Sequence, residues 1–153
     1  MSDFRIVKDQ HQDETMRFVI VDDSEEILQI WKRVFAREKN CIVFLTSDPW
    51  LALREIELQK PDILITDVMM PGLSGFQLAK KAKLVYPRLK IFFTTGSLDR
   101  LKESGLLEEF LEVLQKPYTD LNNVQTFIHD LATQKPLDRS HCTQEGNFFL
   151  WSL

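Results

Sequence analysis

Ile63-Leu64-Ile65-Thr66-Asp67, followed by Val68-Met69-Met70-Pro71-Gly72-Leu73-Ser74-Gly75, sets the frame for the chain. Its first residues form a short apolar run, as a strand buried on both faces requires. The run stops at a carboxylate, and Pro71, Gly72 and Gly75 then mark a loop. The same arrangement recurs three times. Phe18-Val19-Ile20-Val21 precedes Asp22-Asp23, Ile91-Phe92-Phe93-Thr94 precedes Thr95, and Val113-Leu114-Gln115 precedes Lys116. In an open parallel sheet, ligands bind outside the carboxyl ends of the strands. One such fold would gather three carboxylates, a hydroxyl and an ammonium into a single pocket.

Helical patterns fill the gaps between these runs. Ser24 suits a helix cap, with Glu25 and Glu26 in the favoured first turn. Ile27, Ile30, Trp31, Val34 and Phe35 then share one face. Cys41–Leu45 reads as a second strand. Ser47 or Asp48 caps the helix that follows, with Pro49 in its first turn and Leu51, Leu53, Ile56 and Leu58 along it. A helix is expected from Phe76 to about Tyr86, ended by Pro87. Another opens at Gly96-Ser97 and runs to roughly Glu109, with Gly105 as its weak point. The last spans Leu121 to Ala132 with Val124, Phe127, Ile128 and Leu131 on its stripe. Strands alternating with helices imply an α/β fold, a doubly wound five-stranded parallel sheet covered on both faces. Residues 1–16 read as a leader, 17–134 as the domain and 135–153 as a tail.

With 153 residues, 44% hydrophobic and 27% charged, the chain has the size and composition of one soluble globular domain. A net charge of −4 without a basic stripe argues against direct nucleic-acid binding. No apolar run nears the roughly 20 residues of a membrane helix, and the first residues lack the apolar centre of a signal peptide. Cys41 and Cys142 read as reduced thiols in a cytoplasmic protein. His11, His129 and His141 fall in leader, last helix and tail, where solvated or structural roles fit.

Clustered carboxylates repel one another unless a cation joins them. An oxygen-only set without a nearby histidine suits magnesium, which keeps several waters and takes one or two carboxylates. Taken singly, each feature has an ordinary explanation: Asp22 and Asp23 as helix caps, Asp67 as a turn former, Lys116 as a surface lysine before Pro117. Jointly, four strand ends with complementary chemistry go beyond turn preference.

Val21-Asp22-Asp23-Ser24, Asp67-Val68-Met69-Met70-Pro71 with Gly75, Thr95-Gly96 and Lys116-Pro117 resemble the response-regulator receiver domains of two-component signalling. The likeness covers roughly Arg17 to Thr133 and implies the flavodoxin-like (βα)5 receiver fold. It implies that Asp67 is the phosphoacceptor, modified by a sensor histidine kinase or phosphotransfer protein. Asp22, Asp23 and Asp67, with the backbone carbonyl of Met69, would hold Mg2+. Lys116 would pair with one phosphoryl oxygen and Thr95 donate to another, Gly96 leaving room for the donor. The signal would pass to a downstream protein partner or output domain, the chain itself being a phosphoacceptor rather than an enzyme.

Departures from that pattern matter. Many receivers carry an aromatic residue three positions before the lysine; Val113 stands there, and Phe110 lies three residues further back. Met69 and Ser97 occupy positions that in this family influence the lifetime of the phosphoryl group. Two other readings compete. A pseudo-receiver would keep the fold and signal without phosphate, against which the five-residue set (Asp22, Asp23, Asp67, Thr95, Lys116) stands. A magnesium-dependent phosphatase of the haloacid dehalogenase type also uses a strand-end aspartate, but with a second aspartate two positions on, where this chain has Met69. The residues after Gln134 are too few for a DNA-binding or enzymatic module. Among them Phe148-Phe149-Leu150-Trp151-Ser152-Leu153 is notably apolar. It either packs onto the same domain or anchors a partner or a second subunit in a homodimer.

Overall fold

Every residue of the strand ending at Asp67 is buried, so this strand lies inside the sheet and needs helices on both faces. The computed structural model describes residues 3–7, 15–103, 111–146 and 148–153. Its strands are β1 (Phe4–Val7), β2 (Met16–Val21), β3 (Cys41–Thr46), β4 (Ile63–Asp67), β5 (Lys90–Thr95), β6 (Leu111–Gln115), β7 (Cys142–Glu145) and β8 (Phe148–Trp151). The helices are α1 (Glu25–Ala36), α2 (Pro49–Gln59), α3 (Gly75–Val85), α4 (Leu98–Glu103) and α5 (Leu121–Ala132). One sheet holds all the strands, in the order β1-β3-β2-β4-β5-β6-β8-β7.

The five expected strands are its parallel centre, β3-β2-β4-β5-β6. Chain order reverses between β2 and β4, because β3 and β4 lie on opposite sides of β2. A crevice opens at the carboxyl ends of strands at such a switch point, and Asp22 and Asp67 flank it. Helices α1 and α5 cover one face, where Trp31, Phe35, Phe127 and Ile128 pack on Phe18, Ile20 and Phe92. On the other face α2 and α3 contribute Ala52, Ile56 and Leu78 over Val19, Val21 and Leu64. Leu101 of α4 joins Phe93 and Val113 in a third apolar group.

Local chemistry explains the helix starts. Ser24 accepts from the Ile27 N–H. Asp48, rather than Ser47, caps α2 through the N–H groups of Trp50 and Leu51, and Pro49 at the first position has no N–H to leave unpaired. Ser74 and Gln77 form a reciprocal capping box, so α3 begins at Gly75, one residue before the expected Phe76. Of the apolar residues along α2, Ile56 is buried while Leu58 is exposed. The expected helix end near Glu109, together with Gly105, Phe110 and His11, lies outside the described residues.

The sheet departs from expectation at its margins. Within the presumed leader, β1 pairs antiparallel with β3, held by the ion pair of Arg5 with Glu55 and by Lys32 over the Phe4 ring. Within the presumed tail, β8 pairs parallel with β6 and β7 pairs antiparallel with β8. Phe148, Leu150, Trp151 and Leu153 are all buried. Of the two readings of the apolar tail, packing onto the same domain is the one seen. The Trp151 ring meets Phe127 edge-on at 4.9 Å, and Phe127 meets Phe92 at 5.2 Å. The Trp151 indole N–H donates to Glu112 at 2.6 Å. Trp151→Ala is therefore expected to lower unfolding free energy by about 3–5 kcal/mol, measured by urea denaturation. A cost under about 1 kcal/mol would mean that β8 does not belong to the cooperative fold.

Candidate functional site

Asp22 stands just past β2 and is 1% exposed. Its Oδ1 accepts from the Ser24 N–H at 2.9 Å, and its Oδ2 accepts from the Lys116 ammonium at 3.1 Å. The same ammonium lies 3.3 Å from Asp67 Oδ1. Asp23 is exposed at the mouth. One carboxylate oxygen from each of Asp22, Asp23 and Asp67 lies within 4.8 Å of the others.

The backbone places these groups. Lys116 N–H donates to Thr95 O at 2.8 Å and Val68 N–H to Thr94 O at 3.0 Å, tying the ends of β4, β5 and β6 together. The Asp67 loop closes on itself through Gly75 N–H to Val68 O at 2.9 Å. A Cβ on Gly75 would fall on the Asp67 carbonyl, so only glycine lets the loop approach so closely. Gly96 is different: a Cβ there meets nothing within 4 Å, and the space beside Thr95 is open.

Electrostatics follow from this crowding. Burial raises the Asp67 pKa to about 6, and the neighbouring Asp22 charge adds to the rise while Lys116 opposes it. Burial also raises Asp22, against the lowering pull of the Ser24 N–H and of Lys116. For Lys116, burial works against the charge, but Asp22 and Asp67 more than offset it and leave its pKa above the ordinary value.

Asp22, Asp23, Asp67 and Lys116 thus meet as the sequence suggested. Thr95 sits at the end of β5, with its hydroxyl engaged locally. Its hydroxyl donates to Ser97 O at 3.2 Å and accepts from the Ser97 N–H at 3.1 Å. Met69 follows Asp67 by two residues with its side chain half exposed. Val113 is fully buried, and Phe148 and Leu150 join it in one apolar group.

Two features escaped the sequence reading. Tyr118 is partly buried with its hydroxyl enclosed, and burial first, then the charges of Asp22 and Asp67, push its phenol well above the ordinary range. The Tyr118 and Thr94 hydroxyls are both enclosed, and Thr94, beside the phenol, pulls the other way. Their place in Lys116-Pro117-Tyr118 and beside Thr95 was the only available signal. Away from the site, Glu38 is buried between α1 and α5 and bonds Gln125 and His129, which gives His129 the structural role suggested for it.

The family model of the response regulator receiver domain matches residues 18–128. The chain belongs to that family. It is 31% identical over 114 residues to a protein-glutamate methylesterase/protein-glutamine glutaminase of Bdellovibrio bacteriovorus, covering 70% of this chain and 31% of that protein. Similarity to sporulation initiation phosphotransferase F of Bacillus subtilis is 28% over 99 residues, covering 61% of this chain and 79% of the relative. The crystal structure of Vibrio cholerae chemotaxis protein CheY4 superposes with a TM-score of 0.58 at 26% identity, over 71% of this chain and 91% of that one. The chain spans 31% and 46% of the length of the first two curated relatives it matches. No helix among the described residues is long and apolar enough to cross a membrane.

The raised Asp67 value has a defined effect on stability. Unfolded, the carboxyl titrates near the ordinary 3.8; folded, near 6. Between those values the folded state binds more protons, so this group's contribution is largest at low pH and is lost as pH rises to about 6. At pH 7.5 Asp67→Asn is therefore expected to raise Tm, by roughly 3 °C. Added Mg2+ should stabilise the native protein more than the variant. Calorimetric melts at pH 5 and 7.5 check both, and a destabilised variant at pH 7.5 would contradict the electrostatic account.

Proposed function

We propose that Asp67 accepts a phosphoryl group from a phosphohistidine of a sensor histidine kinase or phosphotransfer protein. The observation that supports this most is the shared ammonium: Lys116 lies 3.1 Å from Asp22 and 3.3 Å from Asp67, in a crevice with excess negative charge. An Asp67 oxygen attacks phosphorus, the P–N bond to the donor imidazole breaks, and the imidazole keeps the electron pair. The product is an aspartyl phosphate.

Asp22, Asp23 and Asp67, with the Met69 carbonyl, are the residues that would hold Mg2+. The oxygen-only donor set and its unbalanced charge fit such an ion. When bound, Mg2+ offsets charge on the transferring oxygens. Lys116 follows the new charge and pairs with a phosphoryl oxygen as a compact cation. Thr95 exchanges its bond to Ser97 O for a bond to a phosphoryl oxygen. The modification adds about −1.5 to −2 charge and three acceptors, which biases β5, β6 and their neighbouring helices between two packings. The readout goes to a downstream protein partner or output domain in the cytoplasm, and the chain serves as phosphoacceptor rather than enzyme.

Incubation with acetyl phosphate and Mg2+, read by intact mass, tests the reading. One added phosphoryl group, absent in Asp67→Asn, is expected. No gain, even with a cognate kinase, would favour a receiver fold that signals without phosphate. Met69 bears on the lifetime of the product. Its exposed thioether side chain offers little hydrogen bonding to an attacking water, so self-dephosphorylation is expected to be slow. Met69→Asn should speed decay of phospho-Asp67 by up to roughly tenfold, the effect of about 1.4 kcal/mol from one hydrogen bond. An unchanged decay rate would refute this role.

A further inference from the structure

The C-terminal hairpin touches each element that flanks Lys116. It extends β6 through the pairs from Leu111–Phe148 to Leu114–Trp151. Glu145 on β7 pairs with Lys102 of α4 at 3.1 Å, and Phe148 and Leu150 fill the space around Val113 and Leu101. Trp151 packs on Phe127 of α5. Last, the main-chain oxygen of Leu153 accepts from the N–H groups of Thr119 at 3.2 Å and Asp120 at 3.0 Å, and from the Thr119 hydroxyl at 3.3 Å. These donors lie three and four residues after Lys116 and just ahead of α5.

That anchor is the informative feature. A hairpin that only protected the sheet edge would need the β6–β8 ladder and nothing more. Here residues 148–153 reach past the ladder and grip the segment that carries the lysine. We propose that strands β7 and β8, with Ser152 and Leu153, form a latch whose docking is coupled to the state of Asp67, and that modification of Asp67 loosens it. The inference rests on the phosphoacceptor reading above. A phosphoryl group on Asp67 places new oxygens where the Lys116 ammonium now faces two carboxylates, and the lysine must re-pair. Lys116 and Thr119 share one short stretch of chain, so the Leu153 anchor moves with it. Hydrogen bonds weaken steeply with misalignment, and a small rotation of residues 119–120 releases the shared acceptor. Phe148 and Leu150 share one buried cluster with Val113 of β6 and Leu101 of α4, so the hairpin senses movement of β6 and α4 directly.

Hydrogen exchange of the full chain with and without acetyl phosphate and Mg2+, on samples whose intact mass is read in parallel, tests the latch. Amides of 148–153 and of Thr119 and Asp120 should exchange on the order of fivefold faster in the phosphorylated protein, the low end of ordinary coupling. A mass gain with unchanged or slower exchange overturns the latch alone. Absence of any mass gain, with acetyl phosphate and with a cognate kinase, overturns the phosphoacceptor reading and the latch with it. Reciprocity supplies the second arm. Trp151→Phe keeps an aromatic side chain there but removes the N–H to Glu112, and should tighten apparent binding of beryllofluoride with Mg2+. Equal or weaker binding by the folded variant overturns the latch.

Discussion

One ammonium serves two buried carboxylates, and the arrangement of the carboxyl-terminal face depends on that shortage of positive charge. Two unit charges 4 Å apart near a protein surface interact by about 4 kcal/mol. Three carboxylate oxygens within 4.8 Å of one another therefore repel strongly, and Lys116 cannot neutralise them all. Burial then raises Asp67 to about 6. The strand ends hold this geometry because their backbones are bonded to one another rather than to solvent. Rigid strands below and a charge deficit above make a site that gains from an added cation and responds to an added anion.

The fold was legible where its physics is local. Continuous apolar runs such as Ile63–Thr66 can be buried only in the middle of a covered sheet, and caps such as Ser24 and Asp48 advertise helix starts. Strands β1, β7 and β8 were missed for the opposite reason. Phe4-Arg5-Ile6-Val7 is short and flanked by polar residues, and its pairing with β3 is non-local. Phe148–Trp151 is apolar, but nothing in its sequence says which edge it joins; that depends on packing against Val113 and Phe127. The site divides the same way. Asp22, Asp23, Asp67 and Lys116 were readable because each ends a strand. The engagement of the Thr95 hydroxyl with Ser97 and the buried Tyr118 phenol depend on packing across the sheet, which no single stretch encodes.

The added strands also change how the receiver presents itself. Strand β6 is interior, covered by β8, and the outer edge belongs to the short β7, with exposed Thr143 and Gln144. Arg139 lies over the Phe149 and Trp151 rings and pairs with Glu112, so the hairpin is tied to β6 by charge as well as by its ladder.

Magnesium titration of the native protein beside Lys116→Met tests the central constraint most directly. If one ammonium offsets a crevice of competing carboxylates, removing it leaves a more negative site. The variant should then bind Mg2+ more tightly by about tenfold, measured by calorimetry. Equal or weaker Mg2+ binding by the folded variant would contradict the account, since Lys116 would then not be what balances Asp22 and Asp67.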